Sequence, residues 1–162
     1  MKVKSIFLWV LICTLGACKS RQKPMSNPKV VSDIPVSTPL QVIKMETTPC
    51  YGRCPAYLVT IFDNDSLVYE GQRFVAKEGI SLKKLPKGTV QGLVEQFRGA
   101  NFFKFQDQYT ANVSDLPTTY ISFTDAGKTK RVMDYYRAPE TLRKLEDLVA
   151  DLVKEEVEIK EK

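Results

Sequence analysis

No histidine occurs among the 162 residues of this chain. The usual general base near neutral pH and the commonest metal ligand are therefore missing together. Ser-His and Cys-His nucleophile pairs are excluded, as is any zinc site that uses imidazole. Asp, Glu, Lys and Tyr remain for acid–base work, so catalysis is not the expectation, and neither a cofactor nor a metal is expected. Long apolar runs are missing as well: the run over residues 6–15 is well short of the roughly 20 residues that span a bilayer. A basic excess is missing from most of the chain. The formal net charge is +5, yet residues 40–162 carry 18 basic and 18 acidic side chains. Lys2, Lys4, Lys19, Arg21, Lys23 and Lys29 supply the surplus. A duplex binder needs clustered Lys and Arg to displace counterions, and no nucleic-acid partner is expected.

What is present begins with a leader. Lys2 and Lys4 form a short positive region, an apolar run follows, and Leu15-Gly16-Ala17-Cys18 closes it. A charged start, a short apolar stretch and a small-residue end are the marks of a secretory signal. A cysteine directly after the small pair resembles the bacterial lipobox, in which residues 1–17 are removed and Cys18 carries lipid. Two or more acyl chains anchor stably where one does not, so the expected partner of Cys18 is the lipid bilayer. Lys19 follows where an inner-membrane protein would carry aspartate, which favours the outer membrane, and the acidic residues that accompany surface export in some diderms are missing, which favours its periplasmic face. Residues 18–39 hold Pro24, Pro28, Pro35 and Pro39 among Ser, Asn, Gln and Lys without periodicity, and read as a basic tether. Its charges lie beside anionic headgroups, where each adds about 1 kcal/mol of attraction.

One domain is expected over residues 40–155, with a charged tail over 156–162 that frays. Strands are predicted at 40–46, 56–62 and 66–72, the last two as a hairpin around Asp63-Asn64-Asp65. A weaker strand follows at 74–82. Pro86 takes the first helical position, and Val90, Leu93, Val94 and Phe97 form one apolar face, with Gly99 as the helix stop. Phe102, Phe103 and Phe105 are expected beneath the helix end, and 106–117 as loop. A second hairpin is predicted from strands 118–124 and 128–135, turning at Asp125-Ala126-Gly127. The last helix opens at Pro139-Glu140, with Leu142, Leu145, Leu148, Val149, Leu152 and Val153 as its buried stripe. The fold class is α+β: a mostly antiparallel sheet with two helices on one face, in the order ββββ-α-ββ-α.

Three stretches could carry chemistry. In Cys50-Tyr51-Gly52-Arg53-Cys54, bracketed by Pro49 and Pro55, an oxidised ring would stabilise by about 2 kcal/mol, with Gly52 giving the freedom a small ring needs. The alternative is a thiol–disulfide redox pair, which normally has its reactive thiol at a helix N-terminus; here three residues intervene and Pro55 leads into a strand. A copper(I) site helped by Met45 or Met133 is a third reading. Asp115, before a strand, either caps backbone N–H groups or sits beside Arg53 or Arg137 in a polar cleft. Tyr135, Tyr136 and Arg137, between the last strand and the last helix, suit a binding surface or a rim of half-buried rings. Arg53, Tyr57, Asp115, Tyr135, Tyr136 and Arg137 form the candidate binding surface.

The segments Thr-Pro-Cys-Tyr-Gly-Arg-Cys-Pro-Ala-Tyr (48–57), Val-Tyr-Glu-Gly (68–71) and Asp-Leu-Pro-Thr-Thr (115–119) together resemble an uncharacterised domain family. That family, a domain of unknown function, is found largely in bacterial exported and lipid-anchored proteins. The resemblance implies that the cysteine pair is a hallmark and that the chain resides in the cell envelope; it implies no activity, substrate or catalytic residue. The expected function is a membrane-anchored envelope lipoprotein with a non-catalytic domain that binds a protein, peptide or glycan. The alternative is a periplasmic redox protein using Cys50 and Cys54; a weaker third reading is an inhibitor-type binder anchored by Tyr135, Tyr136 and Arg137.

Overall fold

The computed structural model describes residues 38–158. Cys18, the leader and most of the tether lie outside the described residues. Seven strands form one sheet: β1 (Gln41–Thr47), β2 (Ala56–Phe62), β3 (Ser66–Arg73), β4 (Gly79–Lys84), β5 (Gln108–Tyr109), β6 (Thr119–Asp125) and β7 (Lys128–Asp134). Helix α1 (Thr89–Gly99) and a 3₁₀ turn (Phe102–Lys104) follow β4, and α2 (Glu140–Asp151) and α3 (Lys154–Val157) follow β7. The spatial order is β4-β3-β2-β1-β6-β7-β5. Every neighbouring pair is antiparallel except β5 with β7. The expected α+β order holds.

Alternation along the strands decides which face is covered. Register aligns Ile61, Ile43 and Phe123 across three strands, and Val59, Met45, Ile121 and Val132 across four. These side chains are buried with Val90, Leu93 and Phe97 of α1 and Leu142, Leu145 and Val149 of α2 in one core. Phe97 sits 5.2 Å from Phe102 and 5.0 Å from Phe123, ring centroid to ring centroid. Both helices therefore pack on one face of the sheet. The second hairpin turns through Ala126 (φ 47°) and Gly127 (φ 75°), the pair of left-handed residues a two-residue hairpin turn requires.

Several local expectations are corrected. Pro86 is not the first helical residue: Gly88 at φ 86° interrupts the backbone, and α1 starts at Thr89. Its cap comes from far away in sequence, because the Asp65 carboxylate accepts the N–H groups of Gly88 and Val90, each at 3.0 Å. Those bonds hold the Asp65 carboxyl below the usual range. The fourth strand begins at Gly79 rather than 74, since Phe74 is left-handed (φ 54°) and the following residues bend over β3. Gln108–Tyr109, expected as loop, pairs with Met133 and Asp134 as the seventh strand. Phe103 is partly exposed, so of the three phenylalanines only Phe102 is fully buried. Leu148 is exposed, because the buried residues of α2 are Leu142, Leu145 and Val149.

The tail is also corrected. Lys154–Val157 is helical, and the carbonyls of Glu156 and Val157 accept the N–H groups of Lys77 (2.9 Å) and Ala76 (3.2 Å). Lys83 pairs with Glu156 at 2.9 Å. The fold thus extends through Val157, two residues past the expected boundary at 155.

Gly71 makes this docking possible. A Cβ there would stand 2.1 Å from the Lys77 carbonyl oxygen, 2.8 Å from the Tyr69 hydroxyl and 2.9 Å from Val75 Cγ2. The β3–β4 connection therefore lies directly on the Gly71 backbone, a close approach that only glycine permits.

Candidate functional site

Antiparallel order carries separate loops to the same end of the sheet. The β1–β2 loop (48–55), the exit of β3 at Arg73, the approach to β6 (110–118) and the β7–α2 junction (135–139) all meet there. Thr48 holds the first to the third: its N–H donates to the Thr118 carbonyl at 2.9 Å, and its hydroxyl accepts the Thr118 N–H at 3.0 Å. Thr47 fixes the loop base, its hydroxyl donating to the Pro55 carbonyl and accepting the Tyr57 N–H, both at 3.1 Å. Segments 48–57 and 115–119, distant in sequence, are thus hydrogen-bonded neighbours.

Cys50 and Cys54 are joined by a disulfide with a Cα–Cα separation of 5.6 Å, within the ordinary range for such bonds. Gly52 is not needed for its conformational freedom: its φ is not left-handed, and a Cβ would meet only Cys50 Sγ at 3.7 Å. Neither cysteine lies at a helix N-terminus; Cys54 leads through Pro55 into β2. The helix-dipole route to a stabilised thiolate is therefore not built here. Met45, offered as a copper(I) ligand, is a core residue at 1% exposure. Among the described residues no three Cys, Asp or Glu side chains are grouped as metal donors.

The candidate residues divide into two flanks of this end. Tyr51, at 93% exposure, is the tip of the disulfide loop. Arg53 lies 6.0 Å from the Phe74 ring and Arg73 5.1 Å from it, so two guanidinium groups share one aromatic ring. On the other flank Arg137 (φ 57°) covers the Tyr136 ring at 5.0 Å. The N–H groups of Tyr135 and Tyr136 donate to the Tyr109 carbonyl at 3.0 and 3.1 Å, and the Tyr135 hydroxyl donates to the Val113 carbonyl at 2.7 Å. Tyr136, Arg137, Tyr109, Thr110 and Ala111 line an open groove of about 580 Å³.

Two members of the set are placed differently from expectation. Tyr57 is 6% exposed and packs 5.9 Å from Tyr69; it is a core residue, in phase with Val59 and Ile61. Burial, then the nearby Glu146 carboxylate, raises its hydroxyl pKa. Asp115 is exposed at φ 66°, and among the described residues it makes no ion pair with Arg53 or Arg137 and no side-chain cap.

One group escaped sequence reasoning. Glu146 of α2 has its carboxyl pushed up to about 8 by burial, then by Asp134 and Asp147, against the lowering effect of Arg143. Its Oε1 is buried with no hydrogen-bond partner among the described residues. Burial also raises Asp134, against the lowering effects of the Ala138 backbone N–H and Arg143. The signal was available: residue 146 falls four positions after Leu142, beside the buried stripe, where a carboxylate is out of place.

No curated protein matches the chain. A family model does, over residues 41–153, a span that takes in all seven strands, α1 and α2. The match spans well over half of the chain, which therefore belongs to that family: a domain of unknown function (DUF6438).

Proposed function

We propose that this chain is a membrane-anchored envelope lipoprotein whose folded domain is a non-catalytic binding module working through the loop end of its sheet. The observation that carries the reading is the disulfide-closed tip. A ring tied at Cys50–Cys54 and anchored through Thr47 and Thr48 presents Tyr51 and Arg53 to solvent. A preorganised aromatic and arginine surface suits recognition, because little side-chain and loop ordering remains to be done on binding. Arg73, Phe74, Tyr136 and Arg137 extend it on both flanks, and the match is to a protein or peptide partner. A paired Cys50–Cys54 supports an exported location, since disulfides persist in oxidising compartments. The leader ending at Cys18 supports lipid attachment, Lys19 supports the outer membrane, and the lack of the acidic residues that accompany surface export supports its periplasmic face.

Labelling cells with a fatty-acid probe tests the anchor: the wild-type chain incorporates label and the Cys18→Ala chain does not, while an unlabelled wild type defeats this part. Cross-linking in intact cells tests the binding surface. Partner adducts fall at least tenfold in Tyr51→Ala/Arg53→Ala or Tyr136→Ala/Arg137→Ala chains; undiminished adducts in both defeat it. A redox protein would instead have a reduction potential above roughly −230 mV, read by alkylating Cys50 and Cys54 across glutathione buffers.

A further inference from the structure

The two edges of the sheet are not alike. β5 is two residues long, and so short an edge gives little to pair with. β4 runs over Gly79–Lys84 with a bulge-free register against β3. Proteins usually blunt such an edge with proline, a bulge or a lysine pointing along it. β4 has no proline; of its two lysines, Lys83 is turned away, donating to the Leu152 carbonyl at 2.8 Å and pairing with Glu156, and Lys84, exposed at the strand's end, donates to the Asn64 carbonyl of its own chain. On the face that no helix among the described residues covers, Ile80 is 71% and Leu82 80% exposed. Val68 lies beside Leu82 in register, adding apolar surface behind the edge.

The hydrogen-bond phase fixes which backbone groups are free. Leu85 N–H donates to the Asp65 carbonyl at 2.8 Å, and Ser66 faces Lys84. By antiparallel alternation, positions 83, 81 and 79 bond β3, and Ile80, Leu82 and Lys84 turn their N–H and C=O groups outward. Two copies of this edge related by a two-fold axis at Ser81 fit one another. Ile80 then exchanges both backbone bonds with Leu82 of the second copy, and the reverse. In the same register Glu78, exposed just before the strand, comes opposite Lys84 of the second copy, so the charges at both ends are complementary. We infer that β4 is a homodimerisation edge, pairing antiparallel with β4 of a second copy about Ser81 to form one continuous sheet. The contact is isologous. It falls in the small class, below about 1,200 Å² in total, so association is concentration-dependent. Nothing in it depends on the loop-end surface or on lipid attachment.

Cysteine cross-linking of the purified full-length chain reads the register directly. Opposed residues in a bonded antiparallel pair have Cα atoms about 5.5 Å apart, inside the disulfide range, whereas diagonal ones are about 7–8 Å apart. Mixed Ile80→Cys and Leu82→Cys chains therefore link to each other at least tenfold faster than either links to itself, over the background set by the unsubstituted chain. Sedimentation equilibrium adds a non-covalent readout. The wild type shows dimer as concentration rises to about 1 mM, and Leu82→Lys raises the dissociation constant at least tenfold with its thermal midpoint unchanged, since the side chain is already exposed. Preferential Leu82→Cys self-linking overturns the pairing, as does a wild type still monomeric at about 1 mM, whether the edge is then free or taken by another strand.

Discussion

Replacing Gly71 by alanine places a methyl group where the chain has already put other atoms. The added Cβ falls 2.1 Å from the Lys77 carbonyl oxygen, a backbone atom that no rotamer change can move aside. Relief requires the 74–78 connection to lift. That segment is fixed at several points: Lys77 N–H and Ala76 N–H donate to α3, the Tyr69 hydroxyl is shared between the Lys77 and Glu156 carbonyls at 3.2 and 3.3 Å, and Val75 is buried. Overpacking of a fitted site costs about 1–3 kcal/mol, and each hydrogen bond loosened adds about 0.5–1.5 kcal/mol. The expected loss is about 3 kcal/mol, or roughly 10 °C in thermal midpoint for a domain of this size. Thermal unfolding followed by circular dichroism measures it. Hydrogen exchange localises it, because the amides of Ala76 and Lys77 should lose protection before those of β1 and β2. The Tyr69 hydroxyl, pushed up to about 12 by burial and then by Tyr57 and Glu156, should titrate lower once the loop lifts. A Gly71→Ala midpoint within 2 °C of wild type, with those amides still protected, would refute the close-approach reasoning.

Glu146 gives a pH signature. Its carboxyl is raised to about 8 in the fold, so the folded chain holds a proton that the unfolded chain has released. Stability is full below about pH 4.5 and falls as pH rises toward 8, by an amount on the order of a few kcal/mol. Asp134 adds to the same trend and Arg143 opposes it. Glu146→Gln should unfold at higher denaturant than wild type at pH 8 and equally at pH 4.5; parallel curves across that range would count against a buried neutral acid. Asp65→Ala removes the carboxylate that caps α1. The thermal midpoint should drop above pH 5, and the gap from wild type should close as acid protonates the wild-type carboxyl, whose pKa is depressed by the Val90 and Gly88 N–H groups; a gap that widens in acid would contradict the cap. Phe97→Ala empties the centre of the aromatic cluster with Phe102 and Phe123 and should cost about 3–5 kcal/mol, read as a fall in denaturation midpoint; less than about 1 kcal/mol would mean that the cluster collapses into the space.

Local patterns carried most of the fold. Ala56–Phe62 was legible because a run of β-branched and aromatic residues beside a turn cluster leaves few alternatives, and Leu142, Leu145 and Val149 were legible because their spacing repeats with the helical turn. Leu148 was assigned wrongly for the same reason: periodicity defines a stripe about 100° wide, while contact with the sheet uses only its middle. What the sequence did not disclose is non-local. The Asp65 cap on α1 joins positions 25 residues apart. Strand β5 exists only because β7 offers an edge to Tyr109. Gly71 reads as an unremarkable strand glycine until the Lys77 carbonyl arrives above it. Tyr57 was the avoidable error, since it alternates in phase with Val59 and Ile61 and had to share their face.

Several of the residues that carry the family resemblance are occupied by structure. Thr48 joins two loops, Cys50 and Cys54 close one of them, Tyr57 fills the core, Gly71 admits the β3–β4 connection, and Thr118 answers Thr48. Each of these has its partners inside the domain. What they position is different in kind. Tyr51 and Arg53 stand on the closed ring, and Tyr136 and Arg137 stand beside the Tyr109 groove, exposed or half-buried, with the guanidinium groups laid on aromatic faces. Rings and guanidinium groups presented on a rigid frame are what the proposed binding role would use. Glu146 lies near Tyr57 and Asp134 on the core side of the same end, where burial raises its carboxyl pKa and should make the frame less stable as pH rises toward 8.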